Sequence, residues 1–263
     1  MTKYLFPLIF ALAACTSTEK TTPEKAKTPE TIVAHFANEN EMDNRMVVID
    51  ALVAQSGMVA SSLNYRKQDG TFVKVLAYLS KDNVILKIEE QYSDGNEGNM
   101  GSVTYYMNDG KPFVTHELLD EVDAENAHEF VDRISYYNPS GKVIKTKERR
   151  GYTQDESEQK AFVPVGLHAV TIDRAMRALN AKNEFAITFQ GFAYQEALTY
   201  LIVGENKENG FTSTLKCDFQ DQLLFTLSKN QEAFIGKPLK VTFNVEEDQG
   251  FEYQVYTGGS FSK

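Results

Sequence analysis

The sequence predicts a mostly β, α+β protein: an antiparallel β-meander domain, then a five-stranded barrel, with a few short helices. Three observations carry this expectation. Alternating apolar and polar runs recur from about residue 60 to 151 and again from 183 onward. Turn signals of the Asp-Gly type separate those runs. Apolar residues at helical spacing occur only in short stretches. The chain has 263 residues, 42% of them hydrophobic, which is enough for a real core in one or two domains. With 16 Gly and 7 Pro it is neither fibrous nor of low complexity.

The chain opens with Lys3 and an apolar run over residues 5–14. That run is too short to span a bilayer, which takes about 20 residues. It has the form of a secretory signal, and no later run is long enough to cross a membrane. The run closes in Leu12-Ala13-Ala14-Cys15. This closing segment resembles a bacterial lipobox; the other reading is an ordinary signal peptide with an accidental cysteine. The resemblance implies that residues 1–14 are a signal peptide and that Cys15 is the lipid attachment site. It also implies a membrane partner through that lipid and a place in the bacterial cell envelope. Thr16-Ser17 after the cysteine lacks an Asp retention signal, which favours the outer membrane. A lipidated Cys15 would leave Cys217 without an intrachain partner, so no disulfide is expected. Cys217 alternates with Leu215 and Phe219 and is read as a buried inert thiol in preference to a nucleophile. Residues 15–30, rich in Thr, Lys, Glu and Pro, form a disordered tether after the lipidated cysteine.

Residues 31–151 make the sheet domain with an N-terminal helix. The helix is expected over 43–55, with Asp43 as N-cap and Gly57 as stop. Strands follow over 61–67, 72–79, 84–92, 103–107, 112–119, 130–137 and 143–149, divided by turns such as Asp69-Gly70, Asp109-Gly110 and Asn138-Pro139-Ser140-Gly141. Strand-turn-strand units of this last kind are similar to those common in lipoproteins of the Bacteroidetes type, a likeness that names no activity. Residues 152–182 are a polar linker and a short helix that starts at Thr171 or Asp173.

Residues 183–263 carry strands over 185–194, 198–203 and 211–219, a helix over 221–228, and strands over 239–245 and 251–256. Three strands, a helix and two strands is the order of an OB-fold, and Gly191 falls where its first strand bends. This segment therefore resembles an OB-like barrel. Such barrels often bind nucleic acid, but this one has six Lys, no Arg and eleven acids. With a chain net charge of −10, no nucleic-acid partner is expected. Tyr194, Tyr200 and Tyr256 lie near strand ends and could line a ligand face.

Chemistry-bearing patterns are few. His116 and His128 stand among acids between residues 116 and 132 and are the candidate metal ligands. No HExxH, CxxC or Ca-loop pattern accompanies them, and the plain reading is a solvated acidic loop. No nucleophile elbow, dinucleotide fingerprint or Walker loop occurs, so no catalytic residue and no cofactor is assigned. Lys145, Lys147 and Arg149 share a strand face that could meet lipid head groups; a Lys-guarded edge strand is preferred. The expected function is a non-catalytic binding or assembly module for an envelope protein or surface glycan. The alternative is an envelope hydrolase with a spatially assembled site built on His116, His128 and nearby acids.

Overall fold

The computed structural model describes residues 36–95, 100–122 and 128–262. The expected signal peptide, Cys15 and the tether lie outside the described residues. The protein is mostly β, a large mixed sheet with a few helices. Among the described residues no helix is long and apolar enough to cross a membrane.

Helix α1 (Glu39–Ser56) starts where the Asn38 side chain accepts a hydrogen bond from the Glu41 amide. Glu39 and Glu41 in its first turn suit the helix dipole. Gly57 ends it with φ 61°, as expected for a left-handed cap. Asp43, expected as the cap, lies inside the helix instead, where its carboxylate accepts a 2.7 Å bond from the Tyr136 hydroxyl.

The meander runs through β1 (Val59–Ser61), β2 (Tyr65–Arg66), β3 (Thr71–Leu79), β4 (Ile85–Asp94), β5 (Met100–Asn108), β6 (Lys111–Val122), β7 (His128–Tyr137) and β8 (Val143–Gly151). Neighbours from β2 to β8 pair antiparallel, and β1 pairs with β3. One face is covered by α1, over a cluster that includes Met42, Ile49, Tyr106, Val114 and Tyr136. Three acids bind this helix to the sheet: Glu39 to Lys145, Asp43 to Lys147 and Asp50 to Lys87. Arg149 pairs with Asp132 on the neighbouring strand. The Lys145, Lys147 and Arg149 row is thus answered by acids within the fold. Nor is β8 an edge, because β9 (Val163–Val165) pairs along it.

Part of the expected linker is structured. Helix α2 (Gln154–Glu158), capped by the Thr153 hydroxyl, rests against β8. Helix α3 (Asp173–Leu179) buries Ala175 and Ala178. A single 3-10 turn at Asn183–Phe185 delays the next strand, because the Phe185 carbonyl is held by the buried Tyr65 hydroxyl at 2.9 Å. Then come β10 (Thr188–Gln195), β11 (Leu198–Gly204), β12 (Thr212–Cys217), α4 (Gln222–Lys229), α5 (Gln231–Phe234), β13 (Leu239–Asp248) and β14 (Phe251–Phe261). β10, β11 and β12 pair antiparallel, and the register of β10 shifts at Gly191, whose φ is 139°. β12 pairs in parallel with β14, β13 pairs antiparallel with β14, and a bridge joins Thr188 to Pro238. The largest hydrophobic cluster crosses the expected boundary, joining Val75, Ile88 and Tyr105 to Ala178, Phe189, Leu215 and Tyr256.

Close approach of α2 to β8 depends on Gly151. A Cβ there would lie 2.5 Å from the Ser157 amide nitrogen, which is backbone and cannot swing away. Gly151→Ala is expected to lose about 1–3 kcal/mol, as overpacked sites do. Urea unfolding reads this, and an unchanged midpoint would refute the contact.

Candidate functional site

Paired residues on antiparallel strands share a sheet face. Opposite α1, one cross-strand row reads Ile88, Tyr105, Thr115, Ser135 and Thr146. All five are buried, and four carry hydroxyls. The next row on the same face reads Glu90, Val103, Glu117, Arg133 and Glu148. Glu90 and Glu117 thus flank one strand, with backbones about 10 Å apart at roughly 4.8 Å per strand.

The hydroxyl row and its neighbours hold the segment leading into α3. The Thr146 hydroxyl accepts from the His168 amide at 3.0 Å, and the Tyr137 hydroxyl from the Val170 amide at 3.0 Å. The Tyr105 hydroxyl faces the Thr171 carbonyl at 3.0 Å and Glu90 Oε2 at 2.9 Å. Between this segment and the charged row lies a cleft of about 310 Å³. Arg174 enters it from α3, donates from Nε to Glu90 Oε1, and lies 4.2 Å over the Tyr92 ring.

Glu117 is the unusual member. Its side chain is 6% exposed, and its Oε2 accepts no hydrogen bond. His168 Nε2 stands 3.3 Å from that oxygen and Arg133 Nη1 3.7 Å. Arg133 donates instead to Glu148 at 3.0 Å. Burial raises the Glu117 carboxyl above its ordinary range, against the pull of His168 and Arg133. Chemically, the cleft can hold a proton at Glu117 and accept donors from a ligand.

A second cleft of about 290 Å³ lies among the C-terminal strands. Tyr194, Thr199 and Cys217 form a cross-strand row along its floor. The row before it, Phe192, Leu201 and Leu215, continues that face into the core. Phe219, Gln220 and the α4 residues Leu224 and Ser228 complete the cleft. Lys216 neutralises Asp218 at 2.9 Å. Burial pushes the Cys217 thiol up to about 11, so at neutral pH it is an uncharged wall and not a nucleophile.

Of the three tyrosines singled out in the sequence, Tyr194 is exposed and lines this cleft. Tyr256 is fully buried beneath it, tilted against Phe219 at a ring-centroid distance of 5.9 Å, and donates to Asp221 at 2.8 Å. Tyr200 pairs with Ala193 and Lys216, on the opposite strand face from Tyr194 and Thr199. His116 and His128 sit in paired strands rather than one loop. His116 lies opposite Ile134, and His128 opposite Val122, six residues along β6 from His116. That is roughly 20 Å at about 3.3 Å per residue. Each has its own carboxylate: Asp132 for His116 at 2.7 Å and Asp120 for His128 at 2.9 Å. Burial would raise the Asp132 carboxyl, but His116 and Arg149 outweigh that and lower it. Among the described residues no group of three His, Cys, Asp or Glu is placed to hold a metal ion.

The Glu117 environment sets a pH dependence. An acid raised above its unfolded value of about 4.3 weighs against folding once pH passes that value, and fully above its folded pKa. Glu117→Gln is therefore expected to be about 1 kcal/mol more stable than the parent at pH 8. The gain should shrink as pH falls toward 4; denaturant midpoints at both pH values check the sign. Neither family models, curated proteins nor solved structures match the chain, so both clefts are read from their own geometry.

Proposed function

We propose that this chain is a lipid-anchored protein of the bacterial cell envelope, held in the outer membrane through Cys15. In this reading it acts as a non-catalytic binding or assembly module. Its C-terminal strands form an OB-like barrel whose mouth takes a surface glycan. The anchor reading rests on the closing tetrad Leu12-Ala13-Ala14-Cys15 after a short apolar run. Several acyl chains hold firmly, since each buried CH₂ contributes about 0.8 kcal/mol. Support for the barrel comes from the strand order β10, β11, β12, β14, β13, the parallel β12 and β14 pair, and the bridge from Thr188 to Pro238. The bend expected of a first barrel strand falls at Gly191.

One observation carries the ligand reading: the Tyr194, Thr199 and Cys217 row that opens the core-facing row to solvent. Barrel mouths are common ligand sites. Here the walls are the aromatic faces of Phe192, Tyr194 and Phe219, with Thr199, Gln220 and Ser228 between them. Flat rings meet the apolar faces of sugar rings, while hydroxyls and amides exchange hydrogen bonds with sugar hydroxyls. The nearest charge, Asp218, is neutralised by Lys216, which suits an uncharged glycan.

Two measurements test the reading. The full chain is applied to an array of bacterial surface glycans. Binding is expected, with Tyr194→Ala and Phe219→Ala each weakening it at least tenfold, about 1.4 kcal/mol. Tyr200→Ala, on the outer strand face, should leave it unchanged. No glycan bound, or binding indifferent to both cleft variants, overturns the ligand assignment; a protein partner would then be sought. Separately, Cys15→Ser expressed in the native cell should lose labelled palmitate and leave the membrane fraction. Retention of label on the variant would overturn the anchor.

A further inference from the structure

The meander cleft carries a second inference, independent of the barrel. Among the described residues three carboxylates are buried: Glu90, Glu117 and Asp132. Two of them have a guanidinium in hydrogen-bonding contact, Arg174 at Glu90 and Arg149 at Asp132. Glu117 has none. Arg133, its cross-strand neighbour, gives its Nε to Glu148 and keeps Nη1 3.7 Å from Glu117. His168 contributes a cation only when protonated. A buried carboxylate oxygen without a donor is costly, and this one opens onto a cleft.

The same cleft is short of donors elsewhere. The Tyr105 hydroxyl has a single proton for two acceptors, Glu90 Oε2 and the Thr171 carbonyl. His168 Nε2, 3.3 Å from Glu117 Oε2, is a further acceptor when the neutral ring carries its proton on Nδ1, and the only nearby side-chain nitrogen that can turn from donor to acceptor as a ligand enters. Val103 and the part of Tyr92 that Arg174 leaves uncovered line the cleft beside a short stem. An anion would bring no donor and would face two carboxylates. A neutral hydroxyl would bring one donor and no charge. An ammonium brings three donors to an oxygen that has none, and a positive charge that can approach closer than Arg133 Nη1 at 3.7 Å, whose Nε is shared with a Glu148 already held by Arg150.

We propose that this cleft binds a primary ammonium group on an aliphatic stem, with Glu117 as its counter-ion and His168 and the Thr171 carbonyl as further acceptors. Such a group is found on a free alkyl amine and on a lysine side chain. The volume, about 310 Å³, is at the small end of ligand sites, which run from roughly 300 Å³ upward.

The test is ligand-observed NMR and calorimetric titration of the full chain near neutral pH. The probes are n-butylamine, Nα-acetyl-lysine methylamide, n-butanol and butyrate. Both amines are expected to bind saturably, butanol at least tenfold more weakly, and butyrate not at all. Glu117→Gln should weaken amine binding at least tenfold while its melting temperature stays level or rises, which separates lost recognition from a damaged fold. His168→Ala, at a half-exposed position, should weaken it severalfold and serves should the first variant fail to fold. Tighter binding of the lysine derivative assigns the group to a protein side chain, and tighter binding of butylamine to a free amine; either upholds the site. Equal binding of butanol or butyrate, amine binding retained in both variants, or no saturable binding of any amine overturns it. The glycan array is unaffected by these variants, so the two proposals fail separately.

Discussion

One buried side-chain amide joins the early strands to the last one, at the place where the shared core passes between the two halves. Between β1 and β2 the chain leaves the ladder over residues 62–64, deep in the molecule, where backbone polar groups need partners. Gln254, 3% exposed on β14, supplies them. Its Nε2 donates to the Ser62 carbonyl at 3.0 Å, and its Oε1 accepts from the Asn64 amide at 2.9 Å. The Ser213 hydroxyl on β12 meets the same oxygen at 3.4 Å. One residue from the far end of the chain thus completes the break in an early strand. With a single backbone pair between β2 and β12, Arg66 with Thr212, this amide joins the Lys74–Glu252 ion pair and the Tyr65 to Phe185 hydrogen bond as a polar tie between meander and C-terminal strands, and it is the buried one that completes the backbone. Next in the chain after Asn64, Tyr65 packs on Phe185, and Phe185 on Phe211, as tilted ring pairs at centroid distances of 4.8 and 4.9 Å.

That tie explains why the core does not divide at residue 183. Composition marks 152–164 as polar, and polarity alone reads as a linker. The segment instead places Thr153 as a helix cap and lays Val163, Pro164 and Val165 along β8. Three residues of strand and five of helix are too short for a periodic signal, and their contacts with β8 carry the information. The local devices were legible for the converse reason. Asn138-Pro139-Ser140-Gly141 makes its own turn, with the Asn138 side chain accepting from the Ser140 and Lys142 amides. Gly57 needs nothing beyond its own backbone freedom to end α1.

The sites divide along the same line. The exposed place of Tyr194 near a strand end is a local feature and legible in the sequence. Glu90, Glu117 and His168 were not. Their meaning comes from register, which places Glu90 and Glu117 on either side of Val103, and from a segment that crosses the sheet some fifty residues later. The basic row on β8 reads as a guarded edge for a related reason. Its complement is written on α1 as Glu39, Asp43 and Asp50, spaced four and seven apart and so on one helical stripe. Matching that acidic stripe to the Lys145 and Lys147 alternation is the sequence signal that would have found the contact.

The two faces of the meander then follow different rules. The α1 face closes on itself, with Lys87, Lys145 and Lys147 each meeting an acid of the helix. The other face is covered by a segment with no ladder of its own, so strand hydroxyls must hold its backbone. Thr146, Tyr137 and Tyr105 do so at His168, Val170 and Thr171. Side-chain hydroxyls reach farther than a strand neighbour's amides, which keeps the segment off the sheet. The space beneath it is the cleft, and it opens over Glu90, Val103 and Glu117 of the charged row and over Tyr105 of the hydroxyl row. The acceptor excess at Glu117 belongs to the same arrangement: the hydroxyls of this face bond the segment, Glu90 and one another, Arg133 gives its Nε to Glu148, and Glu117 Oε2 accepts no hydrogen bond.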